Sequence, residues 1–168
     1  MRVCVYAQSR SGSTTLSRYI SRQLKTYYIP EPYNPRNPIH NRYFFDEQVW
    51  LDPNTTVKFL FGELKPEQQT SLHKYFDKVI VLTREDDIAG AESHMLGLIS
   101  KKWGPYKYVL KEFNQEEKIK LQENIKFRAS IKKQMKTLPY FQVSYEEIFY
   151  KKVGITRINS YLNIEQDN

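Results

Sequence analysis

One stretch near the amino terminus, residues 3–16, constrains this chain more than any other. It reads VCVYAQSRSGSTTL, so an apolar strand runs into a turn of small hydroxyl residues and then into a helix. Gly12 lets the backbone approach a ligand closely, and free N–H groups at a helix start favour an anion. The hydroxyl donors of the turn belong to Ser11, Ser13, Thr14 and Thr15. Arg10 adds a forked guanidinium suited to phosphate or sulfate oxygens, and the stretch predicts a phosphate cradle.

This cradle differs from the loop of nucleoside triphosphatases, which has the form G-x-x-x-x-G-K-[ST]. Ala7 or Gln8 stands where the first glycine belongs, and Ser13 follows Gly12 where the lysine belongs. The sequence therefore disfavours a nucleoside triphosphatase. The alternative without a ligand is an N-capped helix that follows an edge strand.

The order of predicted elements indicates one α/β domain over residues 1–168. The predicted strands are 3–7, 27–29, 55–61, 78–83 and 141–144, and the predicted helices are 14–25, 44–51, 66–75, 84–102, 114–136, 145–151 and 155–162. Strands that alternate with helices favour a mainly parallel central sheet in a three-layer fold, with helices on both faces. The apolar run KVIVLT at 78–83 is typical of a central strand buried on both faces.

The long basic helix 114–136 carries two local signals. Asn114 and Glu117 have the spacing of a capping box at its start. Its apolar stripe is predicted to comprise Leu121, Ile125, Ala129, Ile131, Met135 and Leu138. We expect lysines 126, 132, 133 and 136 to form a solvated face rather than a nucleic-acid patch.

Composition limits the classes of partner and site. The formal net charge of +7 indicates an anionic partner, and the single cysteine, Cys4, lies in a predicted buried strand. Neither a disulfide framework nor a cysteine metal site is therefore expected, and His40, His73 and His94 do not form a metal-ligand pattern. No signal peptide or membrane span is recognisable, which predicts a soluble cytoplasmic protein.

The turn 10–14, RSGST, resembles the 5′-phosphosulfate loop of sulfotransferases that use 3′-phosphoadenosine 5′-phosphosulfate (PAPS). A second resemblance lies after the strand 78–83, where that family binds the 3′-phosphate with an Arg and a later Ser. Arg84 and Ser93 have the offset of the bacterial trehalose sulfotransferase pattern R-x-D-x-x-x-Q-A-x-S, with Gly90 in place of the Gln. In the commoner cytosolic enzymes the Ser comes one residue earlier, where this chain has Glu92.

Residues 141–148, FQVSYEEI, are similar to the late strand and Tyr-Glu-[DE]-Leu segment of the same family, which is mostly architectural. The resemblance implies a P-loop NTPase-like fold, PAPS as donor, its 3′,5′-bisphosphate (PAP) as product and no metal. It implies that the backbone of 11–15 and Arg10 bind the 5′-phosphate end of the donor. Arg84 and Ser93 are then expected at the 3′-phosphate. Nucleic-acid and membrane partners are not expected, and the acceptor is an unknown small molecule or glycan.

An acceptor hydroxyl needs a base, and the sequence leaves two candidates open. Glu31 follows the second strand in the segment 29–32, IPEP, and carbohydrate sulfotransferases carry a Glu in a similar place. His40 in the same proline-rich loop is the alternative base, because cytosolic family members use a His. His94 is a weaker candidate, and His73 is expected on a helix surface. Trp103 and Tyr106 are candidates for stacking on adenine, and Tyr33, Tyr43, Phe44 and Phe45 are candidates for lining an acceptor pocket.

Two other functions stay open at this point. One is a non-catalytic protein of the same fold that binds a nucleotide or polyanion. The other is a small nucleotide or metabolite kinase, which the missing loop lysine opposes.

Overall fold

The computed structural model describes residues 1–34, 52–101 and 112–165. Several predicted features lie outside these residues: helix 44–51, His40, Tyr43, Phe44, Phe45, Trp103 and Tyr106.

A five-stranded parallel sheet forms the centre of the molecule. Its strands are β1 (Val3–Ala7), β2 (Tyr27–Pro30), β3 (Thr55–Leu60), β4 (Lys78–Thr83) and β5 (Phe141–Ser144). They lie in the order β2-β3-β1-β4-β5, so β1 is central, with β3 and β4 on either side. The α/β prediction with a parallel central sheet is confirmed, and the predicted strands match the observed ones to within a residue at each end.

Helices cover both faces of the sheet. They are α1 (Ser13–Leu24), α2 (Pro66–Thr70), α3 (Asp87–Ser100), α4 (Gln115–Lys136), α5 (Tyr145–Phe149) and α6 (Val153–Leu162). Along β1, Val3, Val5 and Ala7 pack in one core with α1 and α6, whereas Cys4 and Tyr6 pack in the other with α4. No helix among the described residues is long and apolar enough to cross a membrane.

Four predicted helices have bounds that differ by more than one residue in the structure. The helix predicted over 84–102 begins at Asp87, and the helix predicted over 155–162 begins at Val153. The helix predicted over 66–75 ends at Thr70 and continues as a 3-10 turn, Leu72–Lys74. The Ser71 hydroxyl donates to the Glu67 carbonyl at 2.7 Å, and the tighter turn buries Leu72 and Phe76 in the core. The helix predicted over 145–151 ends at Phe149, because Lys152 adopts a left-handed conformation that begins α6.

Helix α4 begins as predicted but buries a different face near its middle. Asn114 and Glu117 each accept a hydrogen bond of 2.9 Å from the other's backbone N–H, which confirms the capping box. Ala129 is exposed, so its place in the apolar stripe was predicted wrongly, and Arg128 is buried instead. Lys132 is not simply solvated, since its ammonium lies 2.8 Å from the Asp87 carboxylate at the start of α3.

Candidate functional site

The turn between β1 and α1 lies at the carboxyl edge of the sheet, where open parallel sheets bind ligands. Neighbouring strands hold both of its sides. The Gln8 N–H donates to the Leu82 carbonyl at 3.0 Å, and the Phe61 N–H donates to the Ala7 carbonyl at 2.8 Å. Because β3 and β4 fix the start of this turn, its backbone is placed by the sheet rather than by the turn alone.

Inside the turn, the small residues have distinct surroundings. The Ser11 hydroxyl is fully buried and donates to the Gln8 carbonyl at 2.5 Å, so this side chain holds the turn together. Gly12 has a φ of +76°, and a Cβ there would collide with the Phe149 ring. No side chain of the described residues caps the start of α1, where Ser13 is buried and Thr14 and Thr15 are exposed.

Arg10, Arg84 and Ser93 come together although they stand far apart in the sequence. The Arg10 Nε donates to the Ser93 hydroxyl at 2.9 Å. The Arg84 Nη1 donates to the Arg10 carbonyl at 3.1 Å, and the Arg84 guanidinium lies 4.6 Å from the centre of the Tyr145 ring. The two arginines that the sequence singled out therefore occupy one corner, between the turn and the first half of α3.

Gln8 is a residue of this corner that the sequence analysis did not assign. Its side chain is 1% exposed. Its amide nitrogen donates to the Arg128 carbonyl at 3.0 Å, and its amide oxygen accepts from the Arg84 N–H at 3.2 Å. Gln8 thus joins the turn, the end of β4 and helix α4. The only signal in the sequence was a long polar residue directly after Ala7, which stands five residues before Gly12, where the triphosphatase loop has its first glycine.

On the other side of the turn, Lys58 and Glu31 form a buried ion pair. Lys58 extends from β3, is 3% exposed, and its ammonium contacts Glu31 Oε1 and the Thr14 hydroxyl, the latter at 3.0 Å. Glu31 Oε2 accepts from the Asn34 amide at 2.6 Å. The candidate base therefore lies at the carboxyl edge of the sheet, and each of its oxygens accepts one hydrogen bond.

Glu63 is a second carboxylate near this pair that the sequence analysis missed. Its Oε2 is buried without a hydrogen-bond partner in the described parts of the chain. Burial, and then the nearby Glu31 charge, raise the pKa of Glu63 to about 8, while Lys58 acts in the opposite direction. This carboxyl group changes its charge close to neutral pH.

The two described histidines have separate environments. Burial lowers the pKa of His94, and the charges of Arg128 and Arg10 lower it further, so a neutral imidazole stands next to Ser93. His73 faces Tyr140, with 6.5 Å between ring centres. His73 also lines a cavity of about 520 Å³ near the amino ends of β4 and β5, away from the turn. Tyr33 packs against Phe59 in the core, at 5.7 Å between ring centres.

Comparisons with known proteins place the fold. No protein-family model matches the chain, and no curated protein matches it in sequence. The structure is similar to shikimate kinase from Bacteroides thetaiotaomicron, with a TM-score of 0.61 and 14% identity over 97% of this chain and 98% of that one. It is also similar to the sulfotransferase domain from the curacin biosynthetic pathway, with a TM-score of 0.53 and 17% identity over 98% of this chain and 74% of that one. The chain therefore has a P-loop-like α/β fold.

Proposed function

We propose that this chain is a sulfotransferase that moves a sulfuryl group from PAPS to an acceptor hydroxyl or amine. The observation that carries the proposal is the corner formed by Arg10, Arg84 and Ser93. Each of these residues comes from a motif that resembles the family, and in the fold both Arg84 and Ser93 form a hydrogen bond with Arg10. A site for two phosphate groups of one nucleotide requires such proximity.

The residues of the corner fit a 3′-phosphorylated nucleotide in chemistry as well as in order. The Arg84 Nε is buried and has no hydrogen-bond partner among residues 1–34, 52–101 and 112–165. An unpaired buried donor is costly, and an anion would satisfy it. The uncapped start of α1 lies directly beyond Gly12, and its N–H groups suit the 5′-phosphate.

The residues then have the following proposed roles. The donor supplies a sulfuryl group already bonded to a leaving phosphate. The backbone at 11–15 holds that phosphate, and Arg10 offsets the negative charge that develops on it. Glu31 accepts the proton of the acceptor. His40, the alternative base, lies outside the described residues.

A small kinase is the second candidate, and Lys58 is the observation that favours it. Kinases with the triphosphatase loop place a lysine on the transferred phosphate from the position after the second glycine. This chain has Ser13 there, but the Lys58 ammonium reaches Thr14 from the neighbouring strand β3. Lys58 thus supplies a positive charge beside the turn from a neighbouring strand rather than from the turn itself.

Calorimetric titration separates the two candidates. We expect adenosine 3′,5′-bisphosphate to bind more tightly than AMP, ADP or ATP, with and without Mg²⁺, because Arg84 and Ser93 recognise the 3′-phosphate. Tight binding of ATP with Mg²⁺ and no preference for the bisphosphate would favour the kinase. Tight binding of the bisphosphate, together with no sulfuryl transfer from PAPS to any acceptor, would favour the non-catalytic alternative.

Substitution of Arg84 tests the assignment of the 3′-phosphate. Arg84→Ala is expected to weaken binding of the bisphosphate roughly tenfold or more, since hydrogen bonds to charged groups contribute about 1.5–3 kcal/mol. Binding of AMP, which has no 3′-phosphate, should weaken much less. The matched control is Arg22→Ala, which removes an exposed arginine in the last turn of α1. Equal losses for both nucleotides would contradict the role of Arg84.

A further inference from the structure

Arg128 is a buried cation that the proposed reaction does not use. It comes from the middle of α4 and is 2% exposed. Its Nη1 lies 3.4 Å from the Ser9 hydroxyl, but its Nε and Nη2 are buried without a partner in the described regions of the chain. A guanidinium has five donors, so most of the hydrogen-bonding capacity of this one is unused.

Gly90 supplies the space for this guanidinium. A Cβ at position 90 would lie 2.5 Å from Arg128 Nη2, 2.6 Å from Nε and 2.7 Å from Cζ, which is closer than non-bonded atoms allow. The group therefore lies flat against α3 at Gly90, where the helix has no side chain in its way. Gly90 is also where the chain departs from the pattern R-x-D-x-x-x-Q-A-x-S, so the departure and the buried arginine occur together.

Positive charge is in excess around Arg128. Burial and the neighbouring Arg84 lower the pKa of Arg128 to about 10, Asp87 opposes this shift, and Arg10 adds to it. The Asp87 carboxylate is shared, because it also forms an ion pair with Lys132. Three arginines thus meet at the corner with one divided carboxylate, and a buried charge without a counter-ion destabilises a fold.

We propose that Arg128 is a charge-specificity residue of this corner, adding buried positive charge behind Arg10 and Arg84 so that the site selects a doubly charged phosphate group. The missing side chain of Gly90 leaves the space that the Arg128 guanidinium requires. The inference rests on the proposed function only in that the corner binds a phosphate, and it does not depend on sulfuryl transfer. It follows that the phosphate compensates a charge that is uncompensated in the free protein.

Three substitutions test the proposal. Arg128→Met removes the charge and keeps the length of the side chain, Arg128→Lys keeps the charge, and Gly90→Ala keeps the arginine but displaces its guanidinium. Arg22→Met removes an exposed charge as the control. The probes are inorganic phosphate and adenosine 3′,5′-bisphosphate, against chloride at equal ionic strength, with melting temperature and calorimetric affinity as readouts.

We expect Arg128→Met to melt no lower than the wild type without a ligand and to lose about tenfold or more in phosphate affinity. Gly90→Ala should lose affinity with its charge intact, Arg128→Lys should retain more affinity than Arg128→Met, and the Arg22→Met control should bind phosphate as the wild type does. If Arg128→Met does not fold, Gly90→Ala decides alone: a loss of phosphate affinity supports the proposal, and an affinity equal to that of the wild type overturns it.

The proposal is overturned if Arg128→Met and Gly90→Ala bind phosphate as tightly as the wild type, because Arg128 is then only structural. It is also overturned if phosphate does not stabilise the wild type. Loss of phosphate affinity in these variants would support the proposal even if the wild type preferred ATP to the bisphosphate. In that case the sulfotransferase proposal alone would fail.

Discussion

At the scale of single residues, two groups of charged side chains flank the turn after β1, each with one buried cation, and their balance differs. On one side, Lys58 stands beside two carboxylates, Glu31 and Glu63. On the other, the Arg10, Arg84 and Arg128 guanidinium groups meet near the shared Asp87 carboxylate. Because burial removes the screening by water, an excess charge must be neutralised. The first group can take a proton on Glu63, whereas we expect the second to bind an anion.

The protonation of Glu63 leads to a prediction about stability and pH. Its pKa of about 8 in the fold exceeds the ordinary value of 4.5, so the folded state holds a proton that the unfolded state has released. Stability from this group is therefore full below pH 4.5 and is lost as the pH rises towards 8. Glu63→Gln stays neutral, and we expect its stability relative to the wild type to increase by roughly 3–4 kcal/mol between about pH 5 and pH 8.5.

Urea denaturation at the two pH values measures this change in the free energy of unfolding. Glu67→Gln, the same substitution at an exposed side chain of α2, shows how much of the change comes from net charge alone. A constant difference between Glu63→Gln and the wild type across the pH range would rule out the raised pKa.

At the scale of elements, the junction of β1 and α1 depends on a helix from the other end of the chain. Gly12 lies against Phe149 and Tyr145, which belong to α5. The start of α5 also holds α3, because the Glu146 carboxylate accepts from the N–H groups of Glu85 and Asp86 at 3.0 and 3.2 Å. The segment 141–148, which was expected to be architectural, thus supports both sides of the corner.

Substitution of two glycines distinguishes the cost of backbone strain from the cost of packing. Gly12 and Gly62 both have positive φ, +76° and +94°, but only Gly12 has neighbours within reach of a Cβ. Gly62→Ala is expected to cost about 1–2 kcal/mol, the strain of a left-handed residue. Gly12→Ala should lower the free energy of unfolding by a further 1–3 kcal/mol, roughly the cost of overpacking against Phe149. Equal losses in chemical denaturation would show that α5 does not press on the turn.

At the scale of the whole molecule, one sheet separates two apolar cores. Met135 of α4 is fully buried in one of them and Ile158 of α6 in the other. The alternating side chains of β1 contribute to both cores. Since a strand cannot lose one face and keep the other, we expect the two cores to unfold together.

Truncation of either core tests whether the chain is a single folding unit. Met135→Ala and Ile158→Ala are each expected to cost about 2–5 kcal/mol and to shift one shared transition. Ile119→Ala, an exposed truncation on α4, should stay within about 0.5 kcal/mol of the wild type. Circular dichroism and fluorescence should give the same midpoint. Two transitions, with only one moved by each variant, would contradict the predicted single domain.

The sequence by itself determined the features that depend on local pattern. The apolar run of β4 sets a strand buried on both faces, and the capping box fixes the start of α4. The small residues between β1 and α1 likewise determine a tight turn at Gly12. In each case the signal comes from residues a few positions apart, so the order of residues along the chain contains it.

Only the tertiary structure decided which charged side chains are buried and what they face. Arg128, not Ala129, turns inward because α4 packs simultaneously against α3 at Gly90 and against the turn at Ser9. Lys58 is buried because β3 lies beside β1, where Glu31 compensates its charge and the Thr14 hydroxyl accepts a hydrogen bond. These contacts join segments dozens of residues apart, and their energies depend on strand order and helix packing, which no local pattern specifies.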